Sequence, residues 1–255
     1  MIEAKTSFFT QRIFAKSLSK SDWRKAVLYN SYLGDLDKVP FYYIKKTEDH
    51  SCQTDLTKNM DDILANMNKH MRSDIRKAEK MGCVFEWGYF YDEFIPFYRK
   101  FASKKGIDSN VSLDRITRYG NPIVTKVSFE GKVLAMHVRV VDKENRFAMA
   151  LYASNARFDE GVNPQIAGRA NKFLQYKDLE LLKNWGIETY DWAGVDIDKE
   201  HKERFSIGEY KLAYGAVVVL SPTVYTPLYG LLLLCRNLAT KPIVFIRNIF
   251  TKVSK

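Results

Sequence analysis

The stretch from Asn163 to Gly194 limits what this chain can fold into more than any other. A polar loop bearing Pro164 and Gly168 leads into an amphipathic run from Asn171 to Trp185, and Gly186 follows directly. Ile166, Ala170, Phe173, Leu174, Leu181, Leu182 and Trp185 recur at helical spacing, so one face of this run is buried. Gly186 suits the left-handed residue that closes a helix. The run Glu188-Thr-Tyr-Asp-Trp-Ala-Gly194 reads as a strand, and Phe147 to Ala153 reads as another before the loop. The predicted order is strand, loop, helix, strand, with a glycine-bearing turn at the helix N-terminus.

A helix N-terminus carries free N–H groups and the positive end of the dipole, and Gly168 and Ala170 leave room for an anion to approach. The alternative is that both residues are small only for packing between helix and sheet. Arg169 and Asn171 follow the glycine, and Arg157 and Asn163 stand in the loop before it. All four are candidates for contacts to phosphate or to an acceptor.

Around this segment the chain predicts an α+β protein built on an antiparallel meander. Val124–Phe129, Val133–Val141 and Phe147–Ala153 are strands joined by turns at Glu130-Gly131-Lys132 and Lys143-Glu144-Asn145. Before it come a strand at Cys83–Trp87 and a helix from Asp92 to Lys104, with Pro96 in its first turn. After it come Phe205–Gly215 and a last strand at Ala216–Leu220. Residues 55–82 read as one helix whose second half is basic, through Lys69, His70, Arg72, Arg76, Lys77 and Lys80. That face is either solvated or a contact for an anionic ligand, with Arg72 and Arg76 the candidates. Val39–Ile44 reads as a strand within an otherwise irregular N-terminal part. Three segments are expected: 1–82 ending in the basic helix, 83–220 as the main domain, and 221–255 as a basic amphipathic tail.

The tail has no acid, and no apolar run reaches the ~18–20 residues that span a bilayer. It reads either as helices lying in an anionic membrane surface or as a helical pair that closes the core. The net charge of +10 calls for an anionic partner: nucleic acid, acidic lipid or a phosphate-bearing small molecule. Cys52, Cys83 and Cys235 form no paired spacing, and the four histidines form no metal-binding pattern, so no metal is expected. Met-Ile-Glu-Ala-Lys lacks the apolar core of a signal peptide, and a cytoplasmic location, peripheral on the inner membrane, is the expectation.

Residues 70–216 resemble the Fem-like branch of the GNAT acyltransferase superfamily, which holds peptidoglycan aminoacyltransferases and acyltransferases of bacterial surface-polysaccharide clusters. The matching segments are Met71-Arg-Ser-Asp-Ile-Arg-Lys-Ala-Glu-Lys-Met-Gly82, Gly168-Arg-Ala-Asn-Lys-Phe-Leu-Gln-Tyr-Lys-Asp178, Gly186-Ile-Glu-Thr-Tyr-Asp-Trp-Ala-Gly194 and Gly208-Glu-Tyr-Lys-Leu-Ala-Tyr-Gly215. Gln165-x-x-Gly168-x-Ala170 also fits the superfamily's loop for the CoA pyrophosphate. The resemblance implies a GNAT-like mixed, mostly antiparallel twisted sheet flanked by helices and splayed where the donor enters. It departs from the Fem pattern in its short N-terminal part, which puts an acyl-CoA donor, acetyl-CoA or another, ahead of aminoacyl-tRNA.

Such a reaction needs an amine near a carbonyl, donors for an oxyanion and a proton for the leaving group. The resemblance gives Lys211 a role in stabilising charge, the alternative being a solvated lysine. Backbone N–H groups near Tyr152 and Ala153 would serve the oxyanion. Asp191 either accepts the amine's proton or caps the turn at Ala193-Gly194. Tyr210 or Tyr214 either protonates the leaving group or packs in the core, and His137 is either a satisfied core histidine or a substrate contact. The expected function is N-acyl transfer from acyl-CoA to a nucleotide- or lipid-linked amino sugar in cell-surface glycan synthesis. One alternative is aminoacyl-tRNA-dependent formation of peptidoglycan bridges. The other is a non-catalytic membrane or nucleic-acid-binding protein.

Overall fold

The structure, a computed structural model, describes residues 1–196, 198, 200 and 202–236. The chain begins with four short strands, β1 (Ile2–Lys5), β2 (Thr10–Ile13), β3 (Val27–Asn30) and β4 (Ile44–Lys46). Next come β5 (His50–Asp55), helices α1 (Met60–Asn66) and α2 (Lys69–Lys80), β6 (Val84–Gly88), α3 (Tyr91–Lys105) and α4 (Leu113–Thr117). The meander is β7 (Ile123–Phe129), β8 (Lys132–Asp142) and β9 (Phe147–Asn155). It is followed by α5 (Pro164–Asn184), β10 (Thr189–Val195), α6 (Lys202–Leu212), β11 (Val217–Leu220) and β12 (Thr223–Tyr225).

Two units result. Residues 49–220 form one, and residues 1–48 with 221–255 form the other. The expected boundary at residue 82 therefore falls inside the larger unit, between α2 and β6. The smaller unit is more regular than its sequence suggests, with a five-stranded sheet in the order β1-β2-β3-β12-β4. Its core gathers Ala15, Val27, Tyr29, Tyr32, Val39, Tyr43 and Val224. The strand expected at Val39–Ile44 is turn as far as Tyr43, whose N–H donates to the Pro40 carbonyl at 2.9 Å. Val39 and Tyr43, four apart, are buried while Phe41 and Tyr42 are exposed, a pattern that a strand's alternation cannot produce. The amphipathic segment at 243–250 lies outside the described residues.

The larger unit holds a seven-stranded sheet in the order β11-β5-β10-β9-β8-β7-β6. The meander is antiparallel in register from Ile123↔Arg139 and Asp142↔Phe147, as its turn residues predict. α5 crosses over, and β10 returns parallel to β9. Asn163 accepts from the N–H groups of Gln165 and Ile166, Pro164 occupies the first turn, and Gly186 ends the helix at φ +77°. Gly168 lies inside α5, not in the loop before it. Pro96 sits in the second turn of α3, which begins at Tyr91.

β5 was not legible as a strand. His-Ser-Cys-Gln-Thr-Asp is mostly polar, and it becomes a strand because β10 and β11 flank it on both sides. The return strand β11 accordingly pairs with β5 and not with β10. The helix expected across 55–82 is two. Asn59 accepts from Asp62 N–H at 2.7 Å and Asn68 from Met71 N–H at 2.8 Å, so each starts its own helix. Met67 keeps the apolar period across the break and is buried at the joint, which hides it in the sequence.

Side chains alternate across the central strands. Ala135, His137 and Arg139 of β8 face α5, which also packs against α2. Met136 and Val138 face α3 with Phe94, Tyr98 and Ala102.

Candidate functional site

The sheet parts between β9 and β10. β10 pairs with β9 only through Thr189↔Phe147, Tyr190↔Ala148 and Asp191↔Met149. Beyond those pairs β9 continues along β8, and β10 continues along β5. Both strands bend there. The β8–β9 register slips between Val138 and Arg139, and β10 slips between Asp191 and Gly194, with Ala193 at φ +65°. The gap opens into a cleft of about 610 Å³ walled by β9, β10, α5 and α6.

The cleft is cationic. Lys105, Arg139, Arg157, Lys172 and Lys211 line it, and no Asp or Glu does among the described residues. Lys172 is held by Asp74 at 2.5 Å. Lys211 donates from Nζ to the carbonyls of Ala193 (2.9 Å) and Gly194 (2.6 Å), clamping the strained turn of β10. Burial pushes the Lys211 ammonium below its usual range. Gly168 of α5 lines the same wall, and a Cβ placed there would meet nothing within 4 Å.

Under the cleft lies a buried polar network. Arg139, fully buried, donates from Nε to Asp178 Oδ2 at 2.9 Å and from Nη2 to Gln175 Oε1 at 2.9 Å. Its Nη1 donates to the Tyr152 carbonyl at 3.3 Å, bracing the bulge on β9. Gln175 Nε2 donates to the Tyr190 hydroxyl at 3.1 Å. His137 Nδ1 sits 2.8 Å from Asp178 Oδ2, and its Nε2 is 3.1 Å from Asn171 Oδ1. Asn171 Nδ2 donates to the Tyr210 hydroxyl at 2.9 Å, which in turn is 2.9 Å from that of Tyr214. A chain of hydrogen-bonding groups thus runs from the buried Asp178 to the cleft wall.

Charge in this network is set by competition. Burial pushes Asp178 up, but the Arg139 guanidinium outweighs it and holds the carboxylate below its ordinary 3.8. Burial, with Arg139 alongside, pushes His137 below 6.5 and keeps the ring neutral. Burial drives the Tyr190 phenol up to about 12. These directions fix a pH dependence. The unfolded chain takes up a proton on His137 near pH 6.5 and the folded chain does not, so stability falls as pH drops below that value. It falls again below about 3.8, where unfolded Asp178 protonates and folded Asp178 stays ionised. Urea midpoints measured from pH 8 to pH 3 should show both limbs, the upper one absent in His137→Gln. A flat profile down to pH 5 would contradict the neutral buried histidine.

Six of the residues expected at a site meet in this cleft: Ala153, Arg157, Gly168, Asn171, Tyr210 and Lys211. The rest lie elsewhere. Asp191 points away from the cleft, accepting from Ser51 Oγ (2.6 Å), Gln53 Nε2 (2.9 Å) and Ala193 N–H (2.7 Å), so it is the cap of the turn and not a base in the cleft. Burial raises its carboxyl. His137 is fully buried and adjoins the cleft through Asn171 and Arg139, not directly, which corrects its expected contact with substrate. Tyr214 is buried below Tyr210. The Tyr152 ring packs on Tyr98 with centroids 5.0 Å apart. Gln165 is exposed, Ala170 is core, and Asn163 is spent on the helix cap. Arg169 reaches Asp74 at 3.5 Å. Arg72 donates to the Ala65 carbonyl at 2.9 Å, and with Arg76 it lines a separate shallow groove on α2 beside Lys69, Lys77 and Lys80.

Arg139, Gln175, Asp178 and Trp192 belong to the site and its floor but were not singled out in the sequence. The signal was present. Asn171, Gln175 and Asp178 recur at i, i+4 and i+7 on the buried face of α5, and His137 and Arg139 alternate on an otherwise apolar strand. Buried polar groups at regular spacing must satisfy one another.

No protein-family model matches the sequence, and no curated protein does. Solved structures do match. The fold resembles FemX with a TM-score of 0.65 at 13% identity, over 90% of this chain and 85% of that one. It resembles a DUF2156 domain, the C-terminal domain assigned to a lysylphosphatidylglycerol synthetase of Agrobacterium fabrum, with a TM-score of 0.60 at 12% identity over 93% and 83%. It also resembles L-PGS from Bacillus licheniformis with a TM-score of 0.56 at 11% identity, over 88% and 79%. The chain has this Fem-like, GNAT-related fold, a mixed and mostly antiparallel sheet flanked by helices.

Proposed function

We propose that this chain is an aminoacyltransferase of cell-envelope synthesis, taking its aminoacyl group from a charged tRNA and passing it to an acceptor held in the cleft. The observation that carries the reading is a cleft, opened where β9 and β10 part, whose described lining holds Lys105, Arg157 and Lys211 beside the paired Arg139 and Lys172 and no acid. Such a site favours a donor or acceptor bearing phosphate. One of the similar structures is named for a lysylphosphatidylglycerol synthetase, a name that joins a lysyl group to a phosphate-bearing acceptor, which supports aminoacyl transfer. The row of cations on α2 supports a donor bearing phosphate.

The acceptor amine attacks the aminoacyl ester carbonyl. A C–N bond forms, the C–O bond to the ribose breaks, and the amine's proton ends on the ribose oxygen. Past Met149, β9 has no ladder partner on the cleft side among the described residues, and its backbone N–H groups near Ala153 are the donors for the oxyanion. Lys211, bonded to β10 in the wall of the same cleft, adds positive charge. Asn171 and Tyr210 are the groups that relay the proton.

An acyl-CoA donor with an amino-sugar acceptor is the second reading, and Gly168 favours it. A glycine inside a helix, open to the cleft, leaves room for a close ligand. Against it, Asn163 already occupies the N–H groups of Gln165 and Ile166 that a pyrophosphate would need. The two readings separate on binding. Bacterial tRNA carrying amide-linked amino acids should bind with a steep salt dependence, and acetyl-CoA should not bind. Micromolar binding of acetyl-CoA, with none of the tRNA, would replace the first reading with the second.

A further inference from the structure

The charge of this chain is unevenly placed. Residues 1–48 hold nine Lys/Arg against five Asp/Glu, and residues 221–255 hold five Lys/Arg and no acid. By sequence, these two stretches therefore carry nearly all of the net +10, and residues 49–220 are close to neutral.

The smaller unit exposes apolar surface. Trp23, Arg24, Tyr42, Pro227, Leu228 and Leu231 line a groove of about 650 Å³. Leu228, Leu231 and Leu234, three apart on the helix spanning 227–236, are all exposed. Phe41, packed edge-on to Tyr42, is 95% exposed. Arg24 lies over the Trp23 ring at 4.7 Å, and Lys25 is exposed beside it.

We infer that this face docks on an anionic bilayer surface, with Trp23, Phe41 and the leucine stripe entering the headgroup region and Arg24 and Lys25 meeting lipid phosphates. Aromatic rings, a leucine stripe and flanking cations are the composition of an interfacial contact. Among the described residues no helix is long and apolar enough to cross a membrane, so the contact is superficial. Charge selects the partner. A second copy of this chain would bring Arg24 and Lys25 against their own counterparts, and a nucleic acid has no use for a leucine stripe. The inference is independent of the acyl donor.

The test is flotation of the full chain with vesicles of phosphatidylcholine alone and with about one third phosphatidylglycerol. Binding to the anionic vesicles is expected, weakened by salt, and Leu228→Glu with Leu231→Glu should lower it at least about tenfold. Both side chains are exposed, so thermal unfolding of the double variant should match that of the parent. Three results would overturn the inference: no binding, equal binding by the double variant, or binding that appears only when residues 237–255 are removed. A dimer dissolved by the double variant, with vesicle binding unchanged, would also overturn it and assign the face to self-association.

Discussion

Asp178→Ala should destabilise the protein by about 3–5 kcal/mol, the cost of leaving one half of a buried ion pair without its partner. Asp178 and Arg139 are both fully buried, with Nη2 and Oδ2 2.7 Å apart. Removing the carboxylate strands the guanidinium in the interior, where the surviving bonds are to neutral groups: Gln175, the backbone carbonyls and His137. His137 would lose the charge beside its Nδ1 as well. Replacing both partners, Asp178→Leu with Arg139→Met, should cost much less than the two single changes together, because no charge is then left unpaired. Urea unfolding reads both effects. A loss below about 1 kcal/mol for Asp178→Ala would mean that the pair does not hold the floor of the cleft.

Gly168→Glu should lower turnover about a hundredfold or more while leaving the fold intact, an effect of about 2.7 kcal/mol on the barrier. The position is interior to α5, where glycine is about 1 kcal/mol worse than alanine and glutamate is a good helix former. A Cβ there meets nothing within 4 Å, so the new side chain has no reason to disturb packing. It does enter the cleft, where it fills space and sets a carboxylate among Arg157, Lys172 and Lys211. Gly168→Ala is the control, expected to keep activity and to gain about 0.5–1 kcal/mol of stability. Full activity of the glutamate variant would remove α5 from the wall of the site.

The parts of this fold that could be read from sequence are those set by neighbours along the chain. The meander, α5 and β10 announce themselves through alternation, helical spacing and Gly186, whose left-handed φ needs no tertiary help. β5 could not be read in that way, because its polar residues are strand only by lying between β10, more than 130 residues later, and β11. The site follows the same division. Gly168 and Asn171 could be found from their place beside recognisable elements, and Lys211 from the family resemblance. Asp191 misled, because a carboxylate at a strand end looks the same whether it caps a bulge or faces a cleft. Arg139 and Asp178 were passed over as members of apolar runs, although a charged pair inside such runs has to be matched across the fold.

The most direct test of the cleft is hydrogen–deuterium exchange of the full chain with and without tRNA bearing amide-linked amino acids. The account predicts slower exchange along 150–155 of β9, over 164–172 of α5 and around Ala193–Val195. Protection confined to other segments, with these three unchanged, would show that the donor does not enter where β9 and β10 part.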